Sequence, residues 1–132
     1  MLTVRAPSVV VRGFIVHGSG GQVEDAAGIK VLADDVTIEQ NHLHHVYAGV
    51  IVRGAHDVRI VDNVVEGPGF TATPAGLSES HLDLSGVVGD GITLWSATSA
   101  LVRGNTVTGM RDGVYLSYAE DVLVDSNRLT DG

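Results

Sequence analysis

The chain has 132 residues, 44% of them hydrophobic and 18% charged, with a formal charge of −8. That size suits one folded domain, and the apolar content excludes disorder as the starting assumption. The acidic balance argues against a nucleic-acid backbone as partner and is compatible with cation binding, while the absence of Cys removes disulfides, thiolate metal sites and Cys nucleophiles together.

In chain order the first apolar–polar alternation is "SVVVRGFIVHG" at 8–18, inside a unit spanning about 2–17. Residues 18–26, "GSGGQVEDA", interrupt it. "AGIKVLADDVTIEQNHLHHV" (27–46) and "AGVIVRGAHDVRIVDNVVEG" (48–67) follow with the same shape, Gly28 lying 21 residues before Gly49 and Asn41 lying 22 before Asn63. A longer interruption occupies 68–89. The last two units, 90–109 and 112–131, each open on Asp-Gly-aliphatic, at Asp90 and Asp112, and carry Asn105 and Asn127 at a spacing of 22. In the degenerate first unit Gly13 is placed at the Asn position.

Each unit contains short runs of period 2, such as Val36 and Ile38 or Ile92 and Leu94, which predict strands. A repeat of about 22 residues with three short strands is too small to bury its own apolar face, so it stacks on its neighbours. The expected fold is all-β: a right-handed parallel β-helix of five coils with three short strands per coil, forming one domain over 1–132. The recurring Asn predicts a ladder of side-chain amides at one turn. The rival solenoid, a leucine-rich horseshoe, lacks its Leu-x-x-Leu-x-Leu pattern here. Both interruptions fall after a third strand and before the next first strand, so they are expected to leave one edge of the helix, one coil apart. Extra length gathered on one edge of a regular scaffold marks a site.

Stacking turns the sequence into columns. His17 is aligned with His45, and His44 with Glu66. His42 shares a strand face with His44, and His81 lies in the long insertion. His17, His44, His45, Glu66 and His81 are therefore the candidate metal ligands, with Glu24 and Asp25 of the short insertion nearby. Imidazoles with carboxylates suit Zn, Cu or Ni. The competing reading is solvated strand residues. His56 is placed in a turn away from this edge. A second constellation stacks Asp90 on Asp112, with Trp95, Tyr115 and Tyr118 on the first-strand face. Two carboxylates at about 5 Å would suit retaining glycoside hydrolysis, and sugar rings stack on aromatics. Against this, Asp before Gly is ordinary turn chemistry, and Arg111 is placed to neutralise the pair.

"VRGFIVHGSGGQVEDAAGIKV", "GAHDVRIVDNVVEG", "GDGITLW" and "RDGVYLSYAEDVLVDSNRL" together resemble the NosD family, periplasmic copper-handling maturation proteins of nitrous oxide reductase. They belong to the wider group of right-handed β-helices with carbohydrate-binding and sugar-hydrolase repeats. The resemblance covers essentially the whole chain, and its most telling part is the order of motifs and insertions. It implies copper as cargo, a periplasmic location, no enzymatic activity, and as partners an ABC-type transporter (an ATPase with a membrane permease) and the reductase. It assigns no ligands residue by residue, so the histidine edge is read from the residues alone. The chain is shorter than such a protein, lacks an export signal and ends on "TDG" at a coil boundary. These departures predict the early coils of a longer protein, with ends that associate. A polysaccharide-binding or polysaccharide-cleaving protein, or a structural β-helix whose site lies elsewhere, are the alternative readings.

Overall fold

A computed structural model describes residues 2–18, 27–67 and 89–130. Among these there is no helix, and hence none long and apolar enough to cross a membrane. The first strands of the five coils are β1 (Leu2–Val4), β4 (Ala27–Val31), β7 (Ala48–Arg53), β10 (Ile92–Trp95) and β13 (Val114–Ser117). The second strands are β2 (Val9–Arg12), β5 (Val36–Glu39), β8 (Val58–Val61), β11 (Thr98–Arg103) and β14 (Glu120–Asp125). The third are β3 (Ile15–His17), β6 (His42–His44), β9 (Val64–Glu66), β12 (Thr106–Thr108) and β15 (Arg128–Thr130). Equivalent strands pair in parallel, giving three five-stranded sheets: β1-β4-β7-β10-β13, β2-β5-β8-β11-β14 and β3-β6-β9-β12-β15. The predicted parallel β-helix of five coils is therefore the fold.

The period-2 pattern decides which side chains enter the core. Ile29, Val31, Val50, Val52, Ile92 and Leu94 point inward from the first sheet and are fully buried. Val36, Ile38, Val58, Ile60 and Val102 do so from the second, and Leu43, Val65 and Val107 from the third. Each such aliphatic side chain contributes about 1.5–3 kcal/mol by leaving water. At one corner the inward positions are Gly28, Gly49, Gly91 and Gly113, where the backbones of adjacent coils and the third-strand aliphatics leave little room for a Cβ.

The predicted asparagine ladder is present. Asn41 Nδ2 donates to Asn63 Oδ1, Asn63 Nδ2 to Asn105 Oδ1 and Asn105 Nδ2 to Asn127 Oδ1, each at 3.0 Å. The second hydrogen of each amide goes to a carbonyl of the preceding coil: Val11, Ile38, Ile60 and Val102. Among the described residues no buried side-chain polar atom lacks a partner.

Two sequence alignments need correction. Ile15 pairs with His42 and Arg12 with Glu39, so the first and second coils are offset by 27 residues, not 28. Phe14, not Gly13, therefore stands at the ladder position, and its N–H donates to Asn41 Oδ1 at 2.9 Å. Gly13 instead aligns with Gln40, and both take positive φ, at 75° and 54°. The same slip moves His17 from His45 to His44. The interruptions follow β3 of the first coil and β9 of the third, so they are two coils apart along the chain, not one, and residues 19–26 and 68–88 lie outside the described residues.

Candidate metal centre

The third sheet builds the site. Leu43 points into the core, so its neighbours His42 and His44 point outward from β6. His17, last residue of β3, is the parallel partner of His44 and stands on the same outer face. His45 is the next residue along the chain, at the start of the turn. Its φ is 58°, in the left-handed region, and Gly18 and Gly109 take the same conformation just past the third strands of their own coils. Histidine, with Asn and Asp, is among the non-glycine residues that adopt this conformation most readily. The turn carries the third ring to the other two.

The ring centroids of His17 and His44 are 4.3 Å apart, those of His17 and His45 5.7 Å, and those of His44 and His45 6.0 Å. One ring nitrogen from each of the three lies within 4.8 Å of the others. Ligands bound at 2.0–2.1 Å sit about 3.4 Å apart in tetrahedral geometry, so an ion closes the set by roughly 1 Å of side-chain rotation. Three protein nitrogens would leave a coordination position for water or another ligand.

Glu66 stands opposite His44 in the next coil, as predicted. Its carboxylate, however, is engaged by His42: Nε2 to Oε1 is 2.8 Å, with both side chains about half exposed. His42 was not among the ligands expected from sequence, although its place two residues before His44 was the available signal. His81, Glu24 and Asp25 lie outside the described residues. His56 is remote from this edge, as expected, where its Nδ1 meets Thr98 Oγ1 at 3.0 Å and its Nε2 meets Asp34 at 3.4 Å.

The electrostatics favour neutral imidazole at the hub. Loss of hydration lowers the His44 pKa first, and the neighbouring His17, His42 and His45 lower it further, with Glu66 opposing. A neutral ring is the form that binds a metal. The sign for folding follows directly. Below about pH 6.5 the unfolded chain takes up a proton that folded His44 resists. Stability linked to this residue is thus complete above that pH and declines as the pH falls through it. Urea midpoints measured from pH 7.5 to 5 should drop more steeply in the wild type than in His44→Gln. Parallel profiles would contradict this.

The other predicted constellation is occupied by its own counter-charge. Asp90 is buried and in register with Asp112, and both of its oxygens accept from Arg111, at 3.2 and 3.3 Å. Arg111 also lies 3.9 Å from Asp112. The Asp90 hydrogen bond is the main cause that raises the Arg111 pKa. The guanidinium thus sits between the carboxylates, as the competing reading expected. Trp95 packs under Arg53, whose guanidinium carbon is 4.8 Å from the ring centroid, a contact with no sequence signal because 42 residues separate the two. Tyr115 stands on the outer face of β13, while Tyr118 lies in the bend beyond it.

Comparison with curated proteins and with solved structures returned no match. The profile of the right-handed β-helix region matches residues 9–132, nearly the whole length, in agreement with the three parallel sheets. The chain belongs to the right-handed β-helix family.

Proposed function

We propose that this chain is a copper-binding β-helix segment that holds the ion on its outer third-sheet face for transfer, without itself being an enzyme. The observation that carries the proposal is the set of three imidazoles, His17, His44 and His45, with ligand nitrogens within 4.8 Å of one another. The donor chemistry fits. Imidazole suits Cu(II), Zn(II) and Ni(II), and Cu(II) binds most tightly of the first-row divalent ions to a given nitrogen set. The chain has no Cys to supply a thiolate, and Met110 is fully buried.

Resemblance to the NosD family supplies the rest of the reading. The recipient is nitrous oxide reductase, an ABC-type transporter is the second partner, and the setting is the periplasm. The sheet supports transfer physically, because β3 and β6 hold His17 and His44 at fixed spacing with both side chains on its outer face.

The test is an anaerobic titration with Cu(I) and Cu(II) separately, comparing the wild type with a His17/His44/His45→Ala variant. One equivalent of Cu(II), lost in the variant, is the expected result. Binding indifferent to the three substitutions would remove the proposal. Polysaccharide binding is the second reading, favoured by exposed Trp95 and Tyr115 on one sheet face.

A further inference from the structure

His44 is the hub of the histidine face. Its ring lies 4.3 Å from His17, 5.3 Å from His42 and 6.0 Å from His45. On the His42 side the next group is not another imidazole but Glu66, the parallel partner of His44 in the following coil. The His42 Nε2 to Glu66 Oε1 separation is 2.8 Å. Two ligands bound at 2.0–2.1 Å and about 90° apart are separated by about 2.9 Å. The pair is therefore already spaced as neighbouring ligands of one ion, which would replace the proton between them. An exposed pair of this kind contributes about 0–1 kcal/mol to folding, so an ion displaces it at little cost.

Resting on the reading of the cluster as metal-binding, we propose that His42, His44 and Glu66 form a second station for a divalent transition-metal ion, two nitrogens and one oxygen, sharing His44 with the station of His17 and His45. The stations differ in character. Three imidazole nitrogens favour the ion at the first, and the harder carboxylate oxygen makes the second more tolerant of a range of divalent ions. Because His44 belongs to both, they are alternative positions of one ion, and rotation of that ring carries the ion between coils.

The test is a double-substitution cycle read by calorimetric titration with Cu(II): wild type, His17→Ala, Glu66→Gln and the combination. With the first station intact, Glu66→Gln should change the dissociation constant by less than about threefold. His17→Ala should keep one equivalent at weaker affinity, because the ion moves to the second station. Adding Glu66→Gln to His17→Ala should then weaken binding at least tenfold further, and His17→Ala/His42→Gln should behave alike. All these side chains face outward, and unchanged far-ultraviolet circular dichroism would confirm that the variants fold.

An equal effect of Glu66→Gln in both backgrounds would show only a general charge effect and overturn the shared-hub inference. No effect in the His17→Ala background would overturn it too. Either result leaves the three-histidine reading standing. A wild type that takes up no Cu(II) removes that reading, and this inference with it.

Discussion

Replacing Asn63 by Ala should destabilise the fold by about 3–5 kcal/mol, since each buried group left without its partner costs about 1–3 kcal/mol. Asn63 is fully buried at the middle of the ladder. Its Oδ1 accepts from both the backbone N–H and the side-chain amide of Asn41, at 3.0 Å each. Its Nδ2 donates to the Ile38 carbonyl at 2.9 Å and to Asn105 Oδ1 at 3.0 Å. Alanine strands the Asn41 N–H and the Ile38 carbonyl at a corner with no access for water, and it breaks the amide chain in two. The same change at Asn127 should cost less. Among the described residues its coil has a neighbour on one side only, and Leu116 and Leu129 there are already 44% and 45% exposed. Urea denaturation of the two variants provides the comparison. Equal losses would mean that the ladder contributes no more at its centre than at its end.

The second large effect is steric. Gly49→Ala should cost about 3 kcal/mol or more, the upper range for overpacking a filled core. A Cβ at this position runs into the Gly91 carbonyl oxygen of the next coil and comes within 2.6 Å of Val65 Cγ1. The oxygen belongs to a backbone already fixed by the Val50 N–H, which donates to it at 2.9 Å, so it cannot withdraw without breaking the sheet. Gly28 occupies the same column one coil earlier, but a Cβ there would stand 3.2 Å from Leu43 Cδ1 and 3.4 Å from the Gly49 oxygen. Gly28→Ala should therefore be much milder. The pair separates a local steric conflict from a general intolerance of substitution in the corner column, and thermal unfolding of the two variants reads the difference. Equal shifts would point to the general intolerance.

Most of the architecture was legible in the sequence because its two controlling periods are local. Alternation of period 2 fixes which residues face inward, and the repeat of 21 or 22 residues fixes which strands stack. The recurring Asn pinned the register of the last four coils. The first coil lacks that anchor: Phe14 takes the Asn place, and the adjacent Gly13 was the wrong substitute. A one-residue slip reverses the face of every side chain in a strand, which is why His17 was aligned with His45 when it stands beside His44. The cluster survived the error because His44 and His45 are adjacent and the left-handed turn at His45 keeps both rings on one edge. The pairing of His42 with Glu66 depends on side-chain rotamers across two strands, and that of Arg53 with Trp95 on sheet order across the long insertion. Neither has a signature at the level of spacing.

The charge pattern around the two sets of titratable groups explains why they differ in chemical promise. Asp90 is buried with both oxygens accepting from Arg111, a permanently charged partner that keeps them engaged. The histidines face outward and crowd one another, with Glu66 beside them, and loss of hydration and the neighbouring rings hold the His44 pKa down. Outward-facing imidazole nitrogens on a fixed sheet are available donors. A buried carboxylate clamped by guanidinium is a structural corner.

The central claim is that His17, His44 and His45 together ligate a copper ion. The most direct measurement is X-ray absorption spectroscopy of the chain loaded with one equivalent of Cu(II). Three imidazole nitrogens at about 2.0 Å, with their outer-shell ring scattering, are the predicted result. A first shell of oxygens with one imidazole or none would contradict it.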